Sequence, residues 1–272
     1  MKIQLVDIQP DSIFCSERVF NFLKEQGFDV ERSAHDSFSE DLLSTATLIC
    51  FHPNYSEQLL PALPTLPTLV KAVQAFDSFV FEDGDWYPRL HCFEVLRDLL
   101  VQRAQSLDIR EPAYVIGSSK VAQIAVAVAI YLGYSEVIVV GESQAELDIL
   151  STQVGRGFIG VKIKTLLVSD LTLQTTNSAL LINTVPLDEE ASLMSDLSYF
   201  NFMQREGIVL DLGKLAAKNH LLEEAEKAEL RTVPTADFAC RFDLSLLGRL
   251  VGERKELLES YKDQCLTKLA SP

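Results

Sequence analysis

The sequence predicts an α/β protein built from two domains. Short apolar stretches alternate along the chain with helical ones, which implies parallel strands covered by helices. The texture changes near residue 108, where the strand–helix alternation becomes more regular and more apolar. The chain has 272 residues, 47% hydrophobic, which is long enough for two modest domains and apolar enough to bury a core in each.

The elements follow in order. KIQLVDI (2–8) alternates and reads as a strand, and SERVFNFLKEQGF (16–28) as a helix with Val19, Phe20 and Leu23 on one face and Gly27 as its stop. TATLICFHP (45–53) reads as a buried strand ended by Pro53. LLPALPTLPTLVKAV (59–73), with three prolines, reads as a short helix and a turn. AFDSFVFEDGDWYP (75–88) alternates through an EDG turn signal, a strand leading into a hairpin. FEVLRDLLVQRAQSL (93–107) is an amphipathic helix.

Beyond residue 108, AYVIG (113–117) and EVIVVG (136–141) read as strands. Between and after them come the helices 120–133, capped by Gly133, and 143–155. LLINTVPL (180–187) and GIVLDLG (207–213) are further strands, 220–230 a helix, and TVPTADF (232–238) a last strand or loop. The tail 243–269 is helical with a break at Gly248 or Gly252. The expected division is a substrate-type α/β domain over 1–107, completed by helices in 241–272, and a Rossmann-like parallel sheet over 108–240, with a cleft between the domains where ligands bind.

Composition excludes several classes. A net charge of −15 argues against nucleic acid, because phosphate binding needs clustered Lys and Arg. The first apolar run is cut off by Asp7, too short for a signal peptide, and no run is long enough to span a membrane. Five widely spaced cysteines without a C-x-x-C pair fit a reduced, cytoplasmic setting rather than a zinc or disulfide scaffold.

The most informative stretch is VIGSSKVAQIAVAVA (115–129). A strand ending in glycine and opening into a helix is the turn that holds a dinucleotide pyrophosphate, usually G-x-G-x-x-G/A. Here Gly117 and Ala122 keep the first and third positions and Ser119 replaces the middle glycine. The functional reading has Ser118, Ser119, Lys120 and Val121 around the phosphates, with the two hydroxyls and the ammonium adding to the backbone N–H groups. The plainer reading is a strand–helix turn with a serine N-cap. After the second strand, Glu142 and Ser143 would meet the adenosine ribose. A carboxylate there accepts from a ribose hydroxyl and repels a 2′-phosphate, so NAD is favoured over NADP if a cofactor binds at all.

With these residues in place, the chain resembles the shikimate dehydrogenase family. The stretch VIGSSKVAQIAVAVAIYLGYSEVIVVGES is similar to that family's glycine-rich turn, helix and second strand, and LLINTVPL to its I-N-x-T-P-L segment. VLDLGKLAAKNHLLEEAEKAELRTV and KAVQAFDSFVFEDGDWYP are similar to two further segments. The resemblance implies an NAD(P)-dependent oxidoreductase acting on a small hydroxy or keto acid, with a Lys and an Asp as the catalytic pair and Asn183, Thr184, Val185 and Pro186 along the cofactor. The family's P-H-K corresponds to Pro53-Asn54-Tyr55, and its N-T-D to Leu90-His91-Cys92, so Tyr55 and Cys92 stand where Lys and Asp belong. Phe242 falls near the family's substrate glutamine. Tyr55, His52, His91 and Cys92 are then the local groups for proton transfer, with a His–Tyr pair as one arrangement. Two functions follow. One is a divergent oxidoreductase with a small-molecule substrate. The other is a catalytically inactive relative that binds a small molecule or protein, as a monomer or homodimer.

Overall fold

The computed structural model describes residues 2–82, 84–103, 107–187, 192–216, 219–252 and 254–269. Asp83 of the EDG signal, residues 104–106 of the expected helix and Glu253 of the tail lie outside them. In chain order the elements are β1 (Ile3–Ile8), α1 (Glu17–Glu25), β2 (Val30–His35), β3 (Leu48–Phe51), α2 (Ser56–Leu59), α3 (Thr68–Val73), β4 (Ser78–Glu82), β5 (Asp85–Arg89) and α4 (His91–Arg103). There follow β6 (Ala113–Ile116), α5 (Lys120–Tyr131), β7 (Glu136–Gly141), α6 (Gln144–Gly157), β8 (Lys162–Leu167), β9 (Ser178–Asn183) and α7 (Ser192–Leu197). The last are β10 (Met203–Asp211), α8 (His220–Lys227), β11 (Arg231–Val233), α9 (Thr235–Val251) and α10 (Lys255–Leu269). The chain divides into two compact units, residues 1–95 with 239–272, and residues 96–238. No helix among the described residues is long and apolar enough to cross a membrane.

The first unit holds a mixed sheet in the order β2-β1-β3-β4-β5. β1 lies parallel to β2 and β3, and the β4–β5 hairpin adds on antiparallel. The parallel arrangement expected from the strand–helix alternation therefore stops at β3, where the hairpin turns the chain back. β1 carries a buried Asp7 in its apolar run. Its carboxylate accepts from Ser16 N (2.8 Å) and Oγ (3.0 Å) and pairs with Arg32 Nε (2.6 Å), which pins α1 and the edge strand β2 to the sheet. The C-terminal helices join through Asp243. Its carboxylate takes Arg18 Nε at 2.6 Å and the Tyr261 hydroxyl at 2.6 Å. The helical tail breaks at Gly252, whose φ of +67° suits glycine; the last strand expected over 232–238 forms as β11 (Arg231–Val233), and α9 begins at Thr235 inside that span.

The second unit is an all-parallel sheet ordered β11-β10-β9-β6-β7-β8. Read from β6, this is the doubly wound order 3-2-1-4-5-6, and it reverses between β6 and β9. α5 packs on β6 and β7 and is buried along its whole first ten residues, Lys120 to Ala129. Small Ala and β-branched residues let it lie close against the strands, and apart from Lys120 and Gln123 the buried stretch is apolar all round.

Candidate functional site

In an open parallel sheet, ligands bind outside the strand carboxyl ends where the order reverses. That point lies between β6 and β9, and two loops meet there. Gly117 follows β6 with φ +117°, and a Cβ on it would stand 2.4 Å from Thr184 Oγ1 and 2.9 Å from Val185 Cγ2. Both the conformation and the close approach demand glycine. Thr184 N and Oγ1 donate to Ile116 O at 3.0 and 2.7 Å, and Gly117 N donates to Val140 O at 2.8 Å. The turn and the 183–186 loop thus lean on each other.

Ser119 is the N-cap of α5, with φ −74° and ψ 176°, and its Oγ accepts from Ala122 N at 3.4 Å. This conformation needs no glycine, which explains how serine fits the middle position. The cap leaves earlier first-turn N–H groups for an anion. Lys120 does not add its charge there. Its side chain is buried, and Nζ donates to Gln123 Oε1 and Gln153 Oε1, both at 3.0 Å. Val121 is buried in the core, 3% exposed.

Glu142 is exposed after β7. Ser143 caps α6, its Oγ accepting from Glu146 N at 3.5 Å. The sequence S-Q-A-E is a capping box, in which the glutamate side chain normally turns back to the cap. Here the Glu146 carboxylate instead accepts from Ser118 Oγ at 2.6 Å, reaching across to the turn after β6.

Asn183 is buried at the end of β9. Its Nδ2 donates to Val185 O (2.8 Å) and Asp211 Oδ1 (2.6 Å), and its Oδ1 accepts from Val185 N (3.2 Å). Asp211, at the end of β10, also accepts from Asn219 Nδ2 (2.6 Å), Gly213 N (3.2 Å) and Thr235 Oγ1 (3.3 Å). Burial pushes its carboxyl pKa up, against these donors. Gly213 packs so close to the loop that a Cβ would stand 2.1 Å from Val185 O. This network holds Thr184 and Val185 in place, while Pro186 is exposed.

In the first unit, Tyr55 is 6% exposed and its hydroxyl accepts from Phe38 N at 2.8 Å. Cys92 is fully buried, and burial holds its thiol well above the ordinary range. His91 is fully buried too. Its Nδ1 lies 2.7 Å from Ser245 Oγ, its Nε2 has no hydrogen-bond partner among the described residues, and burial lowers its pKa to about 3. Asp77 Oδ1 and Oδ2 accept from His91 N (3.1 Å) and Cys92 N (2.6 Å), capping α4, while burial raises that carboxyl to about 7.

His52 alone of the four keeps an accessible edge, 28% exposed. Its Nδ1 accepts from Asn54 N (3.1 Å), so Nε2 carries the proton of the neutral ring and faces Asp11 Oδ2 at 3.6 Å. Burial lowers its pKa. The His–Tyr arrangement is not what forms. His52 pairs with Asp11, and Tyr55 is bonded to Phe38. Rings fill the space beyond: Phe14 meets His52 edge-on at 5.0 Å and Phe242 at 5.5 Å, and Phe242 meets His91 at 6.3 Å.

Sequence reasoning missed Asp11, Asp77, Glu146 and Asp211. Asp11 and Glu146 had local signals. Asp11 Oδ1 accepts from Ile13 N (2.7 Å) and Phe14 N (2.6 Å), a side-chain-capped turn after β1, and Glu146 sits in the S-x-x-E pattern. Asp77 and Asp211 act through long-range partners.

No family model matches the chain, and no curated protein matches it. Solved structures do. Shikimate 5-dehydrogenase from Listeria monocytogenes, in complex with shikimate and NAD, has a TM-score of 0.74 at 15% identity, covering 97% of this chain and 95% of that one. Quinate dehydrogenase from Corynebacterium glutamicum, in complex with NAD, has 0.75 at 11%, covering 97% and 99%. Shikimate 5-dehydrogenase from Thermus thermophilus, in complex with NADP(H) and shikimate, has 0.71 at 15%, covering 98% and 100%. The chain has the α/β fold of shikimate and quinate dehydrogenases.

Proposed function

We propose that this chain is a dinucleotide-binding protein on a shikimate dehydrogenase fold that does not perform that fold's usual proton-coupled hydride transfer. The second unit keeps the Gly117 turn at the reversal of its sheet and binds an adenine dinucleotide, NAD in preference to NADP. The backbone N–H groups at the start of α5 hold the pyrophosphate, and Glu142 faces the ribose. Bound NAD would supply a hydride acceptor. The observation that carries the absence of ordinary turnover is the state of Tyr55 and Cys92. The Tyr55 hydroxyl is engaged with Phe38 N, and the Cys92 thiol is fully buried and held protonated. Neither offers a proton-transfer group to a bound hydroxy acid.

A second reading has one observation in its favour. His52 and Asp11 form a half-exposed pair at the carboxyl ends of the neighbouring strands β3 and β1. In that reading the chain is an oxidoreductase whose proton passes through this pair.

Calorimetric titration with NAD, NADH, NADP and NADPH, followed by turnover assays with shikimate and quinate, tests both. The expected result is binding of NADH without turnover. No binding by any of the four at millimolar concentration defeats the dinucleotide reading. Turnover abolished by His52→Asn establishes the second reading, and turnover that survives it overturns both.

A further inference from the structure

We propose that Cys240 on α9 and Cys265 on α10 form a dithiol that a hydroperoxide converts to a disulfide, fastening the last two helices of the chain to each other. Both residues belong to the first unit, so the pair stands independently of any dinucleotide bound in the second.

Two observations place the pair. The helices are separated by a short break at Gly252, and the Tyr261 hydroxyl of α10 donates to Asp243 Oδ2 of α9 at 2.6 Å. Side chains three or four positions apart share a helix face. Moving outward from that bond, three residues back along α9 and four forward along α10, reaches Cys240 and Cys265. An antiparallel helical hairpin sets these two opposite each other, one turn from the bond. Independently, the two side chains are hydrogen-bonded to one another, with Cys265 as the acceptor. All five cysteines are free thiols. The contact becomes a disulfide once the sulfurs close by about 2 Å.

Cys265 is the thiol set to react first. Burial raises the pKa of Cys15, Cys50 and Cys92. The hydrogen bond from Cys240 instead lowers that of Cys265, against its burial and the nearby Asp243 charge. The thiolate is the form that attacks peroxides. Both thiols are buried, but Cys265 lies toward the C-terminal end of α10, where a helix opens at least cost and a small peroxide can enter. With hydrogen peroxide, the Cys265 thiolate attacks one oxygen, the O–O bond breaks, and the leaving hydroxide takes up the proton that Cys265 gave. The Cys240 sulfur then attacks the sulfenic acid, the S–O bond breaks, and the hydroxyl leaves as water with the Cys240 proton. Two electrons pass from the sulfurs to the peroxide, which ends as two waters.

The test treats the full chain with hydrogen peroxide at about 1 mM, alkylates it, and digests it with trypsin without reduction. The expected product joins the peptides 232–241 and 263–268 through Cys240 and Cys265. Thiols titrated in denaturant should fall from five to three and return with dithiothreitol. Closing a loop of about 25 residues should raise the thermal midpoint read by Trp86 fluorescence by about 3 °C or more, reversibly. Cys240→Ser should stop at the sulfenic acid, which dimedone labels at Cys265. Cys265→Ser should abolish the cross-link and the midpoint shift. Should either variant fold poorly, the wild-type peptide map decides alone. A disulfide between any other two cysteines or between two chains overturns the proposal. So does survival of all five thiols, or conversion of Cys265 to sulfinic acid with no cross-link. Dimedone labelling of C240S at another cysteine, or at none, overturns it as well.

Discussion

Asp211 offers the sharpest test of how the candidate site is held. Asp211→Ala removes the carboxylate that gathers Asn183, Asn219, Gly213 and Thr235. The two amide contacts, each 2.6 Å, are short charge-assisted bonds worth about 1.5–3 kcal/mol apiece, and the two longer ones add little. The gross loss is therefore about 3–6 kcal/mol. Two corrections reduce it. Asn183 keeps its bond to Val185 O, and half-buried Asn219 can turn to water. The mutation also relieves the burial of a charge, the same cost that raises the Asp211 pKa. A net loss of about 2–4 kcal/mol remains. Urea unfolding followed by far-UV circular dichroism measures it. The single tryptophan, Trp86, lies on β5 in the first unit, so its fluorescence reports that unit and the dichroism reports both. Following the two signals together avoids assuming one cooperative transition. A dichroism midpoint equivalent to less than about 0.5 kcal/mol of lost stability would refute the claim that this network fixes the Thr184–Val185 loop.

Three further outcomes are expected. Gly117→Ala forces a side chain into positive φ and into Thr184, so it should cost about 2–4 kcal/mol and weaken NADH binding, read by thermal melting and calorimetry. Tyr55→Phe removes only the bond to Phe38 N. It should cost about 1 kcal/mol in urea unfolding and leave ligand binding unchanged, and a loss of binding would return Tyr55 to the site. Asp77→Asn tests the buried pair at the start of α4. With the folded Asp77 pKa raised to about 7, its protonated form is favoured on folding, so its contribution is full below about pH 4 and lost as pH rises to 7. His91, lowered to about 3, has the opposite slope between pH 6.5 and 3 and masks it in the wild type. The stability difference, wild type minus D77N, should therefore grow by up to about 1.4 kcal/mol per unit as pH falls from 7 to 4 in urea titrations, and a flat difference contradicts the buried-charge account.

What the sequence reveals, and what it hides, divides along the range of the interactions. β6, α5 and β7 stand out because an unbroken apolar strand, a glycine and an apolar helix are local patterns, and the Gly252 break in the tail is equally local. β2 and β8 escape because they are edge strands. VERSAH and KIKTLL carry charges on positions that a central strand would bury, and their pairing is decided by neighbours far along the chain. The attachment of the C-terminal helices hangs on Arg18 and Asp243, 225 residues apart, two charges that each read as solvated when taken alone.

Lys120 shows the same limit inside the site. As the residue after two serines in a phosphate-type turn, it reads as a cation facing a ligand. Its actual direction is set by Gln153, 33 residues later on α6, which joins Gln123 in holding the ammonium. Glu146 is the reverse case. Its S-x-x-E pattern reads as helix capping, a local and sufficient explanation, yet its carboxylate is placed by Ser118, 28 residues earlier. One exchange of direction takes a positive charge out of the turn and the other brings a negative one to it. Both arise where α5 and α6 lie side by side on β7, a contact no local pattern contains. The turn's shape is therefore legible from residues 115–129, but the charges gathered around it are not. Those charges depend on which side chains of the neighbouring helix reach back to it, Gln153 for the ammonium of Lys120 and Glu146 for the hydroxyl of Ser118.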